Sequence, residues 1–187
     1  MKYNNEATNV QIGSNTIIRE FCTVHRGTLA RKKTIIGNDC LLMAYVHIAH
    51  DCSIKNNVII ANNVQVGGHV DIEDYCNIGG GSLVHQFCKV GCYSFLGAGF
   101  KLVQDLPPYI KASGNPAKFS GVNSIGLSRN GFDEKSISTI KKIYRIIYRS
   151  EYNTSQAIQE IKKFFSIEDI IIDNILSFIE DSERGII

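Results

Sequence analysis

The sequence contains no apolar run approaching the roughly 20 residues that a membrane-spanning helix needs. Its opening stretch MKYNNEATN has no apolar segment after its single lysine. Both absences point to the cytoplasm and to a chain without a membrane span. No CxxC pair occurs among the six cysteines, which argues against a metal or disulfide framework. Lysine and arginine exceed aspartate and glutamate by only two (20 against 18), so no strongly basic surface marks the chain as a nucleic-acid binder, and only a local basic patch is left open. Proline is scarce as well, and its three positions, Pro107, Pro108 and Pro116, are confined to one short stretch.

What remains is globular. At 187 residues, 44% hydrophobic and 20% charged, the chain can bury a core as one domain or as a domain with a small appendage. Its organising feature is a period of six: Ile12, Ile18, Val24, Ala30, Ile36, Leu42, Ile48, Ile54 and onward to Leu102. Of the 25 Ile, Leu and Val residues between 12 and 102, 15 share this phase, which neither a helix nor an ordinary sheet produces. Four residues after each aliphatic stands a second inward candidate, many of them small, including Cys22, Thr28, Thr34, Cys40, Cys52, Cys76 and Cys88. Buried free cysteine behaves as a small hydrophobe, so these fill a narrow interior, and only Cys92 is off phase. Glycines directly after the aliphatics, such as Gly13, Gly37, Gly67, Gly79 and Gly91, are expected to let the chain turn tightly, helped by asparagines such as Asn57 and Asn63.

Between Val24 and Ile36 the segment HRGTLARKKT reads as a loop thrown out from the repeats, either simply solvated or binding an acidic carrier. The prolines and the stretch Gly114 to Pro116 end the repeats, because proline removes donors from a strand ladder. After Gly131 the pattern turns helical, with Asp133 as N-cap, a second helix from about Thr154 and a third over Ile167 to Ile179. Residues 131–187 hold 8 basic and 10 acidic side chains, which leaves the positive excess in the repeats.

All five histidines, His25, His47, His50, His69 and His85, lie among the repeats and off the aliphatic phase, which favours a surface cleft over the core. If three hexads make one turn of 18 residues, His50 lies beside Gly68 and Asp51 beside His69, one strand spacing of about 4.8 Å apart. His50 followed by Asp51 supplies a titratable base with a carboxylate to orient it.

The hexads resemble the left-handed parallel β-helix of the hexapeptide acyltransferases. YVHIAHDC at 45–52, with HRGT at 25–28, GGH at 67–69, VHQF at 84–87 and DLPPY at 105–109, resembles more narrowly the UDP-N-acetylglucosamine acyltransferase family, the first enzymes of lipid A synthesis. The resemblance runs from about Lys2 to the terminal RGII. It implies a mainly β fold, with a β-helix over 1–112 followed by a connecting segment and helical domain over 113–187. It also implies a homotrimer with active sites between neighbouring β-helices and no cofactor or metal. The implied reaction transfers an (R)-3-hydroxyacyl chain from acyl carrier protein to the 3-hydroxyl of UDP-N-acetylglucosamine. His50 is then the general base, Asp51 its orienting group and Gly68 N–H the oxyanion donor. His25, His47, His69, His85, Gln86, Asn123 and Arg129 fall to substrate contacts, and Ala98 to the end of the acyl-chain ruler. Where the family carries paired arginines for the nucleotide phosphates, this chain has Arg129 and Asn130. The family also begins with further coils and a motif resembling QDLKY, inside which this chain opens. A truncated or split-gene form would leave an apolar first coil uncovered.

Two other readings stand beside it. One is a hexapeptide-repeat carbonic anhydrase with zinc on His47, His50 and His69, which metal analysis would discriminate. The other is an inactive trimeric scaffold or binding protein, which would bind ligand without turnover.

Overall fold

Most aliphatics of the period-six column stand on two-residue strands, and a strand that short is stable only when its neighbours stack on both sides. The computed structural model describes residues 5–166 and 168–187 and shows that stack as a left-handed parallel β-helix. The first coil comprises β1 (Asn9–Ile12), β2 (Ile17–Ile18) and β3 (Thr23–Val24). The second comprises β4 (Lys33–Ile36), β5 (Leu41–Leu42) and β6 (His47–Ile48). The third follows as β7 (Ser53–Ile54), β8 (Ile59–Ile60) and β9 (Gln65–Val66), and the fourth as β10 (Asp71–Ile72), β11 (Asn77–Ile78) and β12 (Leu83–Val84). The fifth is β13 (Lys89–Val90), β14 (Phe95–Leu96) and β15 (Lys101–Leu102). Like-placed strands of successive coils pair in parallel, giving three sheets along the prism: β1-β4-β7-β10-β13, β2-β5-β8-β11-β14 and β3-β6-β9-β12-β15. The second sheet is extended by a closing hairpin of β16 (Ile110–Ser113) and β17 (Lys118–Val122).

The register is not uniform. From the second coil on, partners lie 18 residues apart, as in His47 against Gln65, but the first coil pairs 24 residues away, as in Thr23 against His47. One whole hexad has been inserted between β3 and β4. Ala30, which the period places in the column, is exposed in this insertion, and Thr28 is drawn aside to the carboxylate of Asp51. Because the insertion is one hexad long, it leaves the phase of six intact.

The core is the stacked column. Ile36, Leu42 and Ile48 of the second coil and their successors to Leu102 are buried, together with Cys40, Cys52, Cys76 and Cys88. Burial raises the Cys52 thiol to about 11, so it stays protonated and packs as an apolar group. The first coil has only one neighbouring coil among the described residues, and its Ile12 and Ile18 remain 48% and 39% exposed.

The corners correct the expected role of the small residues. The left-handed backbone that turns each corner falls three residues after the aliphatic, at Asp39, Tyr45, Asp51, Asn57, His69, Tyr75, Phe87 and Tyr93, and not on the glycines that follow the aliphatics. Those glycines are small for another reason. A Cβ on Gly37 would stand 2.5 Å from the Lys55 carbonyl oxygen of the next coil, and one on Gly67 2.7 Å from the Gln86 nitrogen. They let the coils stack at strand spacing.

Four helices follow: α1 (Ser124–Arg129), α2 (Glu134–Arg149), α3 (Thr154–Phe164) and α4 (Ile170–Glu180). Asp133 caps α2 by accepting from Ser136 N, as its position before an amphipathic run predicts, and Asn153 forms a capping box with Gln156 at α3. The third expected helix begins at Ile170, and Ile167, its expected start, lies outside the described residues. Helix α1 is too short to show a period, and the sequence pattern does not reveal it. The helices join the end of the β-helix through buried apolar contacts and through Tyr144 Oη, which donates to the Pro108 carbonyl at 2.7 Å.

Candidate functional site

The third sheet and the first meet at a corner formed in successive coils by residues 49–52, 67–70 and 85–88. Strands β6 and β7 position His50 and Asp51 there, and one coil further β9 and β10 position Gly68 and His69, as the 18-residue period predicts. His69 N donates to the His50 carbonyl at 3.0 Å, and Phe87 N to that of Gly68 at 3.0 Å. Asp51, His69 and Phe87 occupy the same left-handed corner position of three coils. The Phe87 ring stacks on His69 at 4.7 Å, and the His69 ring meets that of His50 edge-on at 5.1 Å.

Asp51 is fully buried. Burial alone would push its carboxyl upward. Donors from Thr28 Oγ1, His50, Thr28 N and Arg31 N outweigh that effect and leave it at about 2, so Asp51 is ionised at neutral pH. An ionised carboxylate can only accept. The 2.9 Å contact between His50 Nδ1 and Asp51 Oδ2 is therefore donated by Nδ1–H, which leaves the lone pair of the neutral imidazole on Nε2. The His50 side chain is 33% exposed, so this tautomer presents a base to solvent from a fixed ring. His69 Nε2 stands 3.6 Å from the same carboxylate oxygen. The Gly68 N–H has no acceptor among the described residues.

The other residues singled out in the sequence divide. His47 lies on the neighbouring strand face, where its Nδ1 pairs with Thr23 Oγ1 at 2.7 Å and its ring meets that of His25 edge-on at 4.6 Å. Partial burial and the neighbouring His25 hold His47 below the usual histidine pKa. His85 donates from Nδ1 to the Gln86 carbonyl at 2.9 Å, and the Gln86 side chain is exposed beside it. These residues share one side of the prism with His50. Ala98 does not: it is exposed on the corner between the second and third sheets. Asn123 is buried and internally committed, accepting from Gly126 N at the start of α1 and donating to the Tyr93 carbonyl at 2.9 Å. Arg129 is exposed at the end of α1, and Asn130 closes that helix by donating its side-chain amide to the Gly126 carbonyl at 2.8 Å.

Among the described residues, the side chains grouped closely enough to share a cation are His50, Asp51 and His69, whose ligand atoms lie within 4.8 Å of one another. His47, which a three-histidine zinc site would require, is not in this set. The sequence points to His50, Asp51, Gly68 and His69 but not to Thr28 and Arg31 as their partners. The approach of Thr28 and Arg31 to Asp51 depends on the inserted hexad, which the period conceals.

A family model described as "Udp N-acetylglucosamine O-acyltransferase; Domain 2" matches residues 105–187, and one described as bacterial transferase hexapeptide (six repeats) matches residues 33–68. The chain is 42% identical over 191 aligned positions to the acyl-[acyl-carrier-protein]–UDP-N-acetylglucosamine O-acyltransferase of Burkholderia mallei, covering 100% of this chain and 73% of that one. The solved UDP-N-acetylglucosamine acyltransferase of Bacteroides fragilis superimposes with a TM-score of 0.96 at 43% identity, over 99% of this chain and 72% of its own. That of Francisella novicida does so with a TM-score of 0.95 at 35% identity, over 100% and 68%.

Proposed function

This chain belongs to the UDP-N-acetylglucosamine O-acyltransferase family, and we propose that it transfers an (R)-3-hydroxyacyl chain from acyl carrier protein to the 3-hydroxyl of UDP-N-acetylglucosamine, with His50 as general base. The observation that carries this reading is the 2.9 Å bond from His50 Nδ1–H to the ionised, buried Asp51, which leaves Nε2 as the acceptor. Nε2 takes the proton of the sugar hydroxyl as its oxygen attacks the thioester carbonyl. The tetrahedral oxyanion accepts from the Gly68 N–H. Its collapse breaks the carbon–sulfur bond, and the departing thiolate of the carrier recovers the proton from His50. General-base assistance of this kind contributes roughly 10² to 10⁴ in rate, and an oxyanion donor roughly 10² to 10³.

His25, His47, His69, His85 and Gln86 surround the base on one face and are the candidate contacts for sugar, phosphate and acyl oxygen. Asn123, Arg129 and Ala98 lie away from that face within one chain. A homotrimer in which one prism's second-sheet corner lies against a neighbour's His50 corner would complete the site. The outward row Ile17, Ile59 and Phe95 on the second sheet, 59%, 39% and 37% exposed, supports such an association. For the acidic carrier, α2 offers Lys135, Lys141, Lys142, Arg145 and Arg149 against the single acid Glu134. No helix among the described residues is long and apolar enough to cross a membrane, in keeping with a reaction set in the cytoplasm.

The test is acyl transfer from hydroxyacyl-carrier protein to UDP-N-acetylglucosamine by the purified chain and by His50→Ala. Product formed by the wild type and abolished by the substitution supports the reading. A folded wild type that binds the nucleotide sugar without turnover supports the scaffold instead.

A further inference from the structure

Asp51 takes more hydrogen bonds from the loop of residues 25–32 than from the histidine beside it. Thr28 N and Arg31 N donate to Oδ1 at 2.8 and 3.2 Å, and Thr28 Oγ1 donates to Oδ2 at 2.6 Å. This loop is where the first coil departs from the 18-residue register, and an ordinary corner of this prism, such as residues 49–52 between β6 and β7, has only four residues. The inserted hexad builds no strand. It supplies these donors.

We propose that Thr28 and Arg31 are positioning residues for the acyl-transfer base, holding the Asp51 carboxylate in the orientation that presents Oδ2 to Nδ1 of His50. The inference rests on the reading of His50 as that base. A carboxylate with donors on both oxygens is fixed in plane as well as in place. The Thr28 hydroxyl is itself aimed, because its oxygen accepts from Ala30 N at 3.2 Å and its own proton is left for Asp51. The turn is closed by Lys32 N donating to the Thr28 carbonyl at 2.7 Å.

Arg31 pins the whole device. Its guanidinium donates to the Asp51 carbonyl at 3.0 Å and forms a two-pronged pair with Asp71 of β10 at 2.5 and 3.0 Å. Planar bidentate pairing fixes direction as well as distance, which lysine at this position would not do. The pin therefore ties a loop leaving the first coil to the fourth coil, across the corner where His50 stands. Without it the loop is a solvated excursion, and the buried carboxylate keeps only its histidine partners.

The proposal separates from a merely structural role by what each variant spares. Thr28→Val removes the hydroxyl while keeping the volume, and Thr28→Ser keeps the hydroxyl. Loss of a hydrogen bond to a charged group corresponds to roughly a ten- to hundred-fold change. We expect that loss in kcat for Thr28→Val, with KM for both substrates within about twofold of wild type, and recovery to within a few-fold in Thr28→Ser. Arg31→Met and Asp71→Asn should each lower kcat, and the double variant should be no worse than the poorer single one, because both break one pin. Thermal unfolding of each variant establishes that it is folded. Should Thr28→Val not fold, Arg31→Met, altered at a partly exposed side chain, carries the test with Asp71→Asn.

Wild-type kcat in both Thr28→Val and Arg31→Met would overturn the proposal, as would Thr28→Ser as impaired as Thr28→Val. If His50→Ala retains turnover, the reading of the base fails first. If His50→Ala is inactive while the loop variants are unimpaired, only the present inference fails.

Discussion

The Cβ that Gly68 lacks would stand 2.9 Å from Cε1 of His50 and 3.0 Å from its Nε2. Gly68 does not take a positive φ, so its backbone would accept a side chain, and the ring of His50 is what forbids one. Gly68→Ala should therefore leave the thermal midpoint nearly unchanged while displacing the imidazole. Misplacement of a reacting group by about 1 Å costs on the order of 10² in rate. We expect a kcat lowered by about that factor in steady-state acyl transfer, and an unimpaired Gly68→Ala enzyme would show that the close approach has no catalytic purpose.

Asp51 offers a prediction in two observables. In Asp51→Asn only one oxygen is left to accept, so the amide cannot serve Thr28 N and Arg31 N on one side and Thr28 Oγ1 and His50 Nδ1–H on the other, and with the ionised acceptor of the Nδ1–H tautomer gone kcat should fall by roughly 10² to 10⁴. The second observable is stability against pH. Asp51 is lowered from 3.8 to about 2 in the folded chain. Its contribution is fully present above the unfolded value and is lost as pH falls through the folded one. The gap in thermal midpoint between wild type and Asp51→Asn should hold constant from neutral pH down to about 4 and close between about 4 and 2. A gap independent of pH over that window would mean that the carboxylate is not held ionised by its donors.

Ala98 is exposed on a corner away from His50 in its own chain, so the proposed influence on the acyl group requires the proposed homotrimer. Ala98→Met should shift preference toward shorter donors. With a methylene in an apolar site worth about tenfold or more in discrimination, the ratio of kcat/KM for short over long hydroxyacyl donors should rise by at least roughly that factor. Unchanged preference across a panel of donor lengths would remove Ala98 from the acyl path.

Much of this architecture is legible in the sequence because a β-helix writes its geometry as a period. Ile36, Leu42 and Ile48 announce the column, and 18-residue arithmetic by itself brings Asp51 beside His69. The same arithmetic hides the inserted hexad. Adding six residues shifts the register from 18 to 24 without disturbing the phase, so Thr28 reads as a core position when it is a donor to Asp51. Arg31 likewise reads as a solvated loop charge, since nothing local indicates that Asp71, 40 residues on, will meet it. The glycines mislead in a different way. Gly37 and Gly67 suggest turns, but the turns are made by Asp39 and His69, and the glycines answer to the backbone of the next coil. Helix α1, at six residues, falls below the length at which any periodicity can be read, and its cap Asn123 reads in the sequence as a substrate contact.

Single-turnover acyl transfer by wild type and His50→Ala, at saturating donor and nucleotide sugar, tests most directly the proposal that His50 Nε2 removes the proton of the acceptor hydroxyl. Both proteins should bind UDP-N-acetylglucosamine with similar affinity, and the rate of transfer in the variant should fall by roughly 10² to 10⁴. Transfer by a folded His50→Ala at the wild-type rate would contradict the claim.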